Sequence, residues 1–209
     1  MNHLAHLVLA GADPGLRLGA LLGDHVKGKA ALDDWPETWA AGIRLHRRID
    51  SLCDGHPAVL DFLAGLQAPW RRYGGIMLDV LFDTMLSRHW QRFGPMPLNE
   101  FALEIDALML AHREGLPPRM RLFSAWAREQ SLWQRYQDRV LLAEIFQRIA
   151  SRHGRESPLA RGLELLDRHD AEIERVFLEL FADLEAATRH WRTGVAELDE
   201  SDQSSMSSI

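Results

Sequence analysis

The sequence predicts an all-α protein. Apolar residues recur at intervals of three and four through nearly the whole chain, which is the spacing of one face of a helix. We find no convincing run of alternating β-branched residues, the pattern typical of a half-buried strand. Clusters of Gly, Pro and Asp separate the apolar segments and predict the breaks between helices: residues 11–15, 28–34, 94–97 and 115–118.

Nine helices follow in order from this pattern. The four breaks separate the first helix from the second, the second from the third, the fifth from the sixth and the sixth from the seventh. The predicted helices cover residues 2–9, 16–27, 36–53, 56–66, 68–93, 98–113, 120–129, 133–153 and 159–191. The last residues are acidic and then serine-rich, with too little apolar surface to fold. We therefore expect one domain over residues 1–193 and a disordered tail over residues 194–209.

Composition limits the class of protein. The chain has 209 residues, of which 46% are hydrophobic and 26% charged, and this suits one globular domain with a sizeable core. Its single cysteine, Cys53, cannot form an internal disulfide, and the N-terminus lacks the pattern of a secretory signal. No segment reaches the roughly 18 uninterrupted apolar residues of a membrane span. We expect a protein of the reducing cytoplasm that neither crosses nor binds a membrane.

Charge argues against a general nucleic-acid binder. The formal net charge is -6 at pH 7, which would repel a polyanion. All but two of the 24 cationic residues are nevertheless arginines, which bind phosphate and carboxylate groups bidentately. The negative net charge therefore still allows a local arginine surface that binds an anionic group.

Two pairs of residues at one-turn spacing indicate a metal site. His46 and Asp50 form one pair, and Asp79 and Asp83 form the other. Residues at i and i+4 share one helix face, so each pair can point at one ion. Asp79 has mostly apolar neighbours, where an unpaired carboxylate is costly to bury, so a cation is expected beside it. The alternative is an ordinary salt-bridge network with nearby arginines.

Residue types that bind metals are concentrated before residue 90, where six of the ten histidines lie. Mixed imidazole and carboxylate ligands suit Mn²⁺, Mg²⁺, Fe²⁺ or Zn²⁺, and such an ion can polarise a phosphoryl oxygen and activate water. Arg47 and Arg48 would stabilise charge on a phosphate, or else form an exposed helix face. The residues of these types are His3, His6, Asp24, His25, His46, Asp50, Asp54, His56, Asp79, Asp83 and His89.

Four motifs together resemble one family, the bacterial acyl carrier protein phosphodiesterases. They are Asn-His-Leu-Ala-His-Leu at 2–7, Gly-Asp-His-Val-Lys-Gly at 23–28, Gly-Ile-Arg-Leu-His-Arg-Arg-Ile-Asp at 42–50 and Asp-Thr-Met-Leu-Ser-Arg-His-Trp at 83–90. The resemblance runs from Asn2 to about Trp191. It implies an all-α fold like that of HD-type metal phosphohydrolases, and a divalent metal, first of all Mn²⁺ with Mg²⁺ or Fe²⁺ as alternatives. It also implies removal of 4'-phosphopantetheine from holo acyl carrier protein, a small acidic partner.

Matching the motifs position by position implies roles for individual residues. Thr84 stands where the family has a histidine, His89 more plausibly matches the family's Arg-His-Trp sequence, and His3 is an additional histidine. The general acid is left open between His6 and a metal-bound water. The predicted metal ligands are Asp24, His46, Asp50, Asp79 and Asp83, and the predicted catalytic residues are Asp24, His6 and Arg47. The predicted substrate-binding residues are expected from their positive charge near the site to dock the acidic carrier protein: Lys27, Arg44, Arg48, Arg71 and Arg72.

Other polar residues are predicted to be structural. Asp54 and His56 fit a turn with a helix N-cap, and Cys53 fits a packed small side chain. The adjacent His169 and Asp170 lie in a strongly charged helix, where ion pairs explain them. Two other functions stay open: a phosphohydrolase of the same fold acting on a nucleotide or other small phosphodiester, and a non-catalytic protein that binds the carrier protein.

Overall fold

The computed structural model describes residues 1–28, 32–153 and 157–206, without the side chains of residues 153, 190 and 192–206. This part of the chain contains helices and no strand, which confirms the all-α prediction. The helices are α1 (His3–Leu9), α2 (Pro14–Leu22), α3 (Glu37–Gly55), α4 (Pro57–Gly65), α5 (Gly74–Arg88), α6 (Trp90–Phe93), α7 (Leu98–Ala111), α8 (Pro118–Glu129), α9 (Arg139–His153) and α10 (Gly162–Met206).

Three predicted helices are clearly shorter in the structure, and one of them, predicted over residues 133–153, begins only at Arg139. The helix predicted over residues 68–93 begins only at Gly74 and is interrupted at His89, where φ is -99° and ψ is 23°. Residues 68–73 form turns instead, with a hydrogen bond from the Tyr73 amide to the Trp70 carbonyl oxygen at 2.9 Å. The helix predicted over residues 16–27 ends at Leu22, and a loop with Gly28 at φ +86° follows it.

Helices α2 and α3 pack with their backbones almost in contact. A Cβ atom at Gly19 would collide with the Trp39 carbonyl oxygen, and one at Gly42 would collide with the carbonyl oxygen of Leu16. Only glycine allows this approach at both positions. The close packing sets the register of α3 against α2, and so positions the second half of α3 relative to the loop that follows α2.

Helix α10 lies against the other side of α3 and also packs on α4 and α5. Its apolar face is buried, and Phe177 contacts Phe82, Phe93 and Phe181. The backbone helix continues to Met206 and overlaps the stretch predicted as a tail, whereas residues 207–209 lie outside the described residues. The domain boundary at residue 193 stays a prediction. Within the described residues, every helix is too short or too polar to cross a membrane.

Candidate functional site

Side chains from α1 and α3 meet at one place. The ligand-capable atoms of His6, His46 and Asp50 all lie within 4.8 Å of one another. His6 Nε2 is 3.2 Å from Asp50 Oδ1, and His46 Nε2 is 3.0 Å from Asp50 Oδ2. The two imidazole rings stack with centroids 3.9 Å apart. The one-turn spacing of His46 and Asp50 therefore places both side chains towards one point, and α1 adds a third.

The orientation of His46 is set by its other ring nitrogen. Nδ1 donates a hydrogen bond to the Ala20 carbonyl oxygen at 2.8 Å, which turns Nε2 towards Asp24 and Asp50. Gly23 leaves room for the ring, because a Cβ atom there would collide with it. Burial by itself lowers the pKa of His46, but the hydrogen bonds and charges of Asp24 and Asp50 outweigh it and raise the pKa to about 9.

Asp24 lies in the loop after α2 and is the most exposed acidic group of the site, at 64%. Its Oδ1 is 3.5 Å from His46 Nε2, and this contact lowers the pKa of Asp24 to about 2. The loop is held by Arg47, whose Nη2 donates to the carbonyl oxygens of Val26 at 2.7 Å and Gly28 at 3.1 Å. Arg47, predicted to be catalytic, thus supports the backbone of the loop that carries Asp24.

Asp79 is linked through Met1 to the group formed by His6, His46 and Asp50. Its Oδ1 accepts a hydrogen bond from the Met1 ammonium at 2.7 Å, and this ammonium is 3.6 Å from Asp50 Oδ1. Burial raises the pKa of Asp79, against the charge of the ammonium. In the structure the Asp79 carboxylate thus contacts Met1 and not the side chain of His46 or Asp50.

Asp83 is turned away from the group and towards the start of α1. Oδ2 accepts a hydrogen bond from the Leu4 amide at 2.9 Å, and Oδ1 accepts one from the Ala5 amide at 3.0 Å. The Tyr136 hydroxyl also donates to this carboxyl group. Burial raises the pKa of Asp83 to about 7 in spite of these bonds. Asp83 therefore satisfies amides at the first turn of α1 that have no partner inside the helix.

Thr84 and His89 lie outside the group. Thr84 is buried, and its hydroxyl is 3.5 Å from the Val80 carbonyl oxygen within α5. His89 Nε2 is 2.6 Å from Glu174 Oε1 on α10. His89 therefore does not take the place of the histidine that the family has where this chain has Thr84. His3 lies beside the group: its ring is 4.5 Å from that of Phe123, and burial lowers its pKa to about 4.

The arginines predicted to bind substrate are dispersed. Arg44 pairs with Glu37 on the same helix at 2.9 Å, and the guanidinium of Arg48 lies 5.5 Å from the ring of Trp191. Arg71 and Arg72 line an open cavity of about 700 Å³ at the end of α4. Of the predicted substrate-binding cations, Lys27 shares the loop of Asp24. Their roles in binding substrate stay a prediction.

The residues predicted to be structural lie outside the group of His6, His46 and Asp50: Cys53, Asp54, His56, His169 and Asp170. His56 is the N-cap residue of α4, as predicted, and its Nε2 is 3.3 Å from Asp183. Asp54 is exposed in the last turn of α3, so the turn predicted at this residue is wrong. Cys53 is buried, and burial raises the pKa of its thiol to about 12. The adjacent pair on α10 forms ion pairs, His169 with Glu172 at 3.1 Å and Asp170 with Arg88 at 2.6 Å.

The donor set fits a divalent cation. His46 anchors Nδ1 on a carbonyl oxygen, as metal-bound histidines commonly do, and presents Nε2 with the carboxylates of Asp50 and Asp24. His6 fits less well, because its Nδ1 is buried without a hydrogen-bond partner among the described residues. An ion on Nε2 would require the proton on Nδ1 and leave that N–H unpaired. His46, Asp50 and Asp24 are therefore the better ligands, with His6 beside them.

Comparisons with known proteins agree on one family. Residues 1–184 match the family model described as acyl carrier protein phosphodiesterase. Proteins of that name from Yersinia pestis and Serratia proteamaculans are 31% and 32% identical to this chain, over 91% and 88% of its length and 98% and 95% of theirs. One from Escherichia coli O157:H7 is 34% identical over 87% of this chain and 94% of its own. No solved structure matches the chain.

These matches cover the elements that build the site, from α1 to the buried half of α10. They also cover the four motifs on which the resemblance rests. The chain therefore belongs to the acyl carrier protein phosphodiesterase family.

Proposed function

We propose that this protein hydrolyses the phosphodiester that joins 4'-phosphopantetheine to a serine of holo acyl carrier protein. The products are apo acyl carrier protein and free 4'-phosphopantetheine. The observation that carries the proposal is the meeting of His6, Asp24, His46 and Asp50, which come from α1, the following loop and α3. These are the positions that match the family's motifs. The HD-like arrangement that the resemblance implies is part of the same proposal.

The proposed cofactor is a divalent metal, first of all Mn²⁺, with Mg²⁺ or Fe²⁺ as alternatives. His46, Asp50 and Asp24 would hold it, because their donor atoms face one another and mix nitrogen with oxygen. When bound, such an ion polarises a phosphoryl oxygen and lowers the pKa of a water molecule. The ligand roles of Asp79 and Asp83 are less supported, since Met1 and the start of α1 engage their oxygens.

The chain's own residues provide charge and orientation. Burial would raise the pKa of Asp50, but its hydrogen bonds to His46 and His6 lower it, so the carboxylate stays ionised at neutral pH. Asp24 is ionised and exposed, and so can accept a hydrogen bond from the attacking water. Burial and the charge of His46 lower the pKa of His6 to about 3. A neutral His6 favours a positioning role, and the leaving serine oxygen would then take its proton from water.

One assay tests the proposal directly. Purified protein is incubated with holo acyl carrier protein and Mn²⁺, and the carrier is weighed by intact mass spectrometry. We expect the carrier to lose the mass of 4'-phosphopantetheine, and a chelator to prevent the loss. An unchanged holo mass with every metal tried would overturn the proposal. Hydrolysis of a small phosphodiester alone would favour the rival phosphohydrolase, and tight carrier binding without release would favour a binding protein.

A further inference from the structure

Helices α8 and α9 carry arginines without acidic partners. Arg119 on α8 and Arg152 on α9 are both exposed, and within the described ranges no carboxylate lies within ion-pair distance of either. Other exposed arginines do pair, for example Arg139 with Asp167 at 2.8 Å. In a chain with a net charge of -6, carboxylates are abundant. The guanidinium groups of Arg119 and Arg152 are therefore available to a carboxylate of another molecule.

The two helices present these cations on one surface. Arg119, Phe123 and Trp126 follow one another at i, i+4 and i+7, which is one face of α8. Arg148 and Arg152 are one turn apart on α9. The guanidinium of Arg148 pairs with Glu144 at 3.0 Å and lies 4.4 Å from the ring centroid of Trp126, so it joins the two faces. We call these five residues the α8–α9 surface.

This surface borders the candidate site. The ring of Phe123 lies 4.5 Å from that of His3, in the first turn of the helix that carries His6. Arg119 precedes Phe123 by one turn on the same face of α8, so the cationic part of the surface begins one turn from this contact with α1.

We propose that the α8–α9 surface docks an acidic face of the protein that carries the phosphodiester. The inference rests on the proposed function for the position of the reacting phosphate. Its physical basis is charge complementarity: a chain of net charge -6 repels an acidic protein at long range, so productive approach needs a local cationic face beside the site. Arginines on two helices, with aromatic rings between them, form a surface larger than a site for one phosphate group, as a protein partner requires.

Charge reversal tests the surface, with a matched control on the same helix. Arg119→Glu and Arg152→Glu alter it, whereas Arg128→Glu makes the same change on the opposite face of α8, where Arg128 is also exposed. Apo acyl carrier protein is the probe, because it lacks the phosphodiester and reports docking alone. We expect each surface variant to raise the calorimetric Kd by about tenfold and the control to leave it unchanged. The difference should shrink as salt rises.

The outcomes separate the two proposals. If both surface variants bind apo carrier protein as the wild type or the control does, the docking inference is wrong. It is equally wrong if the wild type releases 4'-phosphopantetheine while showing no affinity for the apo carrier. If the wild type binds with the expected pattern but leaves holo carrier unchanged, the docking surface stands and the proposed hydrolysis fails. Circular dichroism of each variant confirms that the helices are intact.

Discussion

His46 uses its two ring nitrogens for different purposes, and the site depends on both. Nδ1 is fixed by the carbonyl oxygen of Ala20, so Nε2 is presented to Asp24 and Asp50 without rotational freedom. An imidazole fixed in this way loses little conformational entropy when it binds a cation. The same residues are therefore suited to hold an ion and to keep one geometry.

Asp24→Ala is expected to abolish turnover and leave the helical fold intact. The carboxylate is exposed, so its removal opens no cavity, while the reacting centre loses a ligand or a water-orienting group. The loss should reach at least about two orders of magnitude in kcat. Carrier mass spectrometry measures turnover and circular dichroism measures helicity. Most of the wild-type activity in a folded variant would exclude an essential role for Asp24.

His46→Ala and Asp50→Ala should each weaken Mn²⁺ binding. Both side chains belong to the cluster of ligand-capable atoms formed with His6, so losing either leaves an incomplete donor set. We expect a loss in affinity of about tenfold or more by calorimetric titration. His89→Ala is the control, because His89 pairs with Glu174 on α10 instead. Unchanged affinity in both site variants would assign the cluster to structure alone.

Asp83 should make stability depend on pH. Its pKa in the folded protein is about 7, above its ordinary value of 3.8, so between these values the folded state holds a proton that the unfolded state has lost. The free energy of unfolding should therefore fall as pH rises from about 4 to 7, by an amount on the order of a few kcal/mol. Asp83→Asn should remove this slope, whatever its effect on the absolute stability.

Urea unfolding of the wild type and of Asp83→Asn at pH 5 and pH 7 measures the slope. Tyr136→Phe, which removes the hydroxyl that donates to this carboxyl group, is a second test, because it should raise the pKa further and shift the slope to higher pH. If the free energy of unfolding depends equally on pH in the wild type and in Asp83→Asn, Asp83 titrates as an ordinary aspartate.

At the scale of elements, the loop between α2 and α3 depends on a residue from α3. Arg47 donates to two carbonyl oxygens of this loop, those of Val26 and Gly28. These carbonyls have left the helix and need donors, which the guanidinium provides with one nitrogen. Asp24 keeps its place over His46 because its loop is attached to the helix that carries His46.

Arg47→Ala should impair catalysis through the position of Asp24. We expect kcat to fall by about tenfold or more with a smaller change in KM, since the loop would no longer be held and no substrate contact is lost. Hydrogen exchange should also accelerate at the amides of residues 24–28. Arg44→Ala, on the same helix but paired with Glu37, is the control. A variant with normal kcat and unchanged exchange would contradict this role.

At the scale of the whole molecule, the end of the family match and the predicted domain boundary at residue 193 both fall within α10. The last buried side chain of that helix is Thr188 among the residues whose side chains are described, and the family match ends at residue 184. A chain ending at residue 193 retains the whole family match and every described core side chain, so we expect it to keep its fold.

This truncated chain is expected to unfold within about 2 °C of the full chain and to keep its turnover. Thermal unfolding followed by circular dichroism and the carrier mass assay measure both properties. A fall of many degrees, or loss of activity, would show that residues beyond 193 belong to the domain and that the predicted boundary is wrong.

The all-α class could be predicted because helix formation follows local spacing, and so could the shared direction of His46 and Asp50, which are one turn apart on α3. Family motifs identified His6 and Asp24 as candidates, although neither is close to α3 in sequence. The resemblance to acyl carrier protein phosphodiesterases is confirmed by the family match. These features depend on short segments of the chain, so they can be predicted from the sequence alone.

Tertiary packing decided the rest. Asp79 and Asp83 have the same spacing as His46 and Asp50, yet one contacts Met1 and the other the amides of α1, because α1 packs against α5. The partners of Arg47 and the surface shared by Arg119 and Arg152 likewise depend on which loops and helices become neighbours. Periodicity shows which residues share a face of one helix, but the partner of a buried charge is chosen by packing between helices that are distant in sequence.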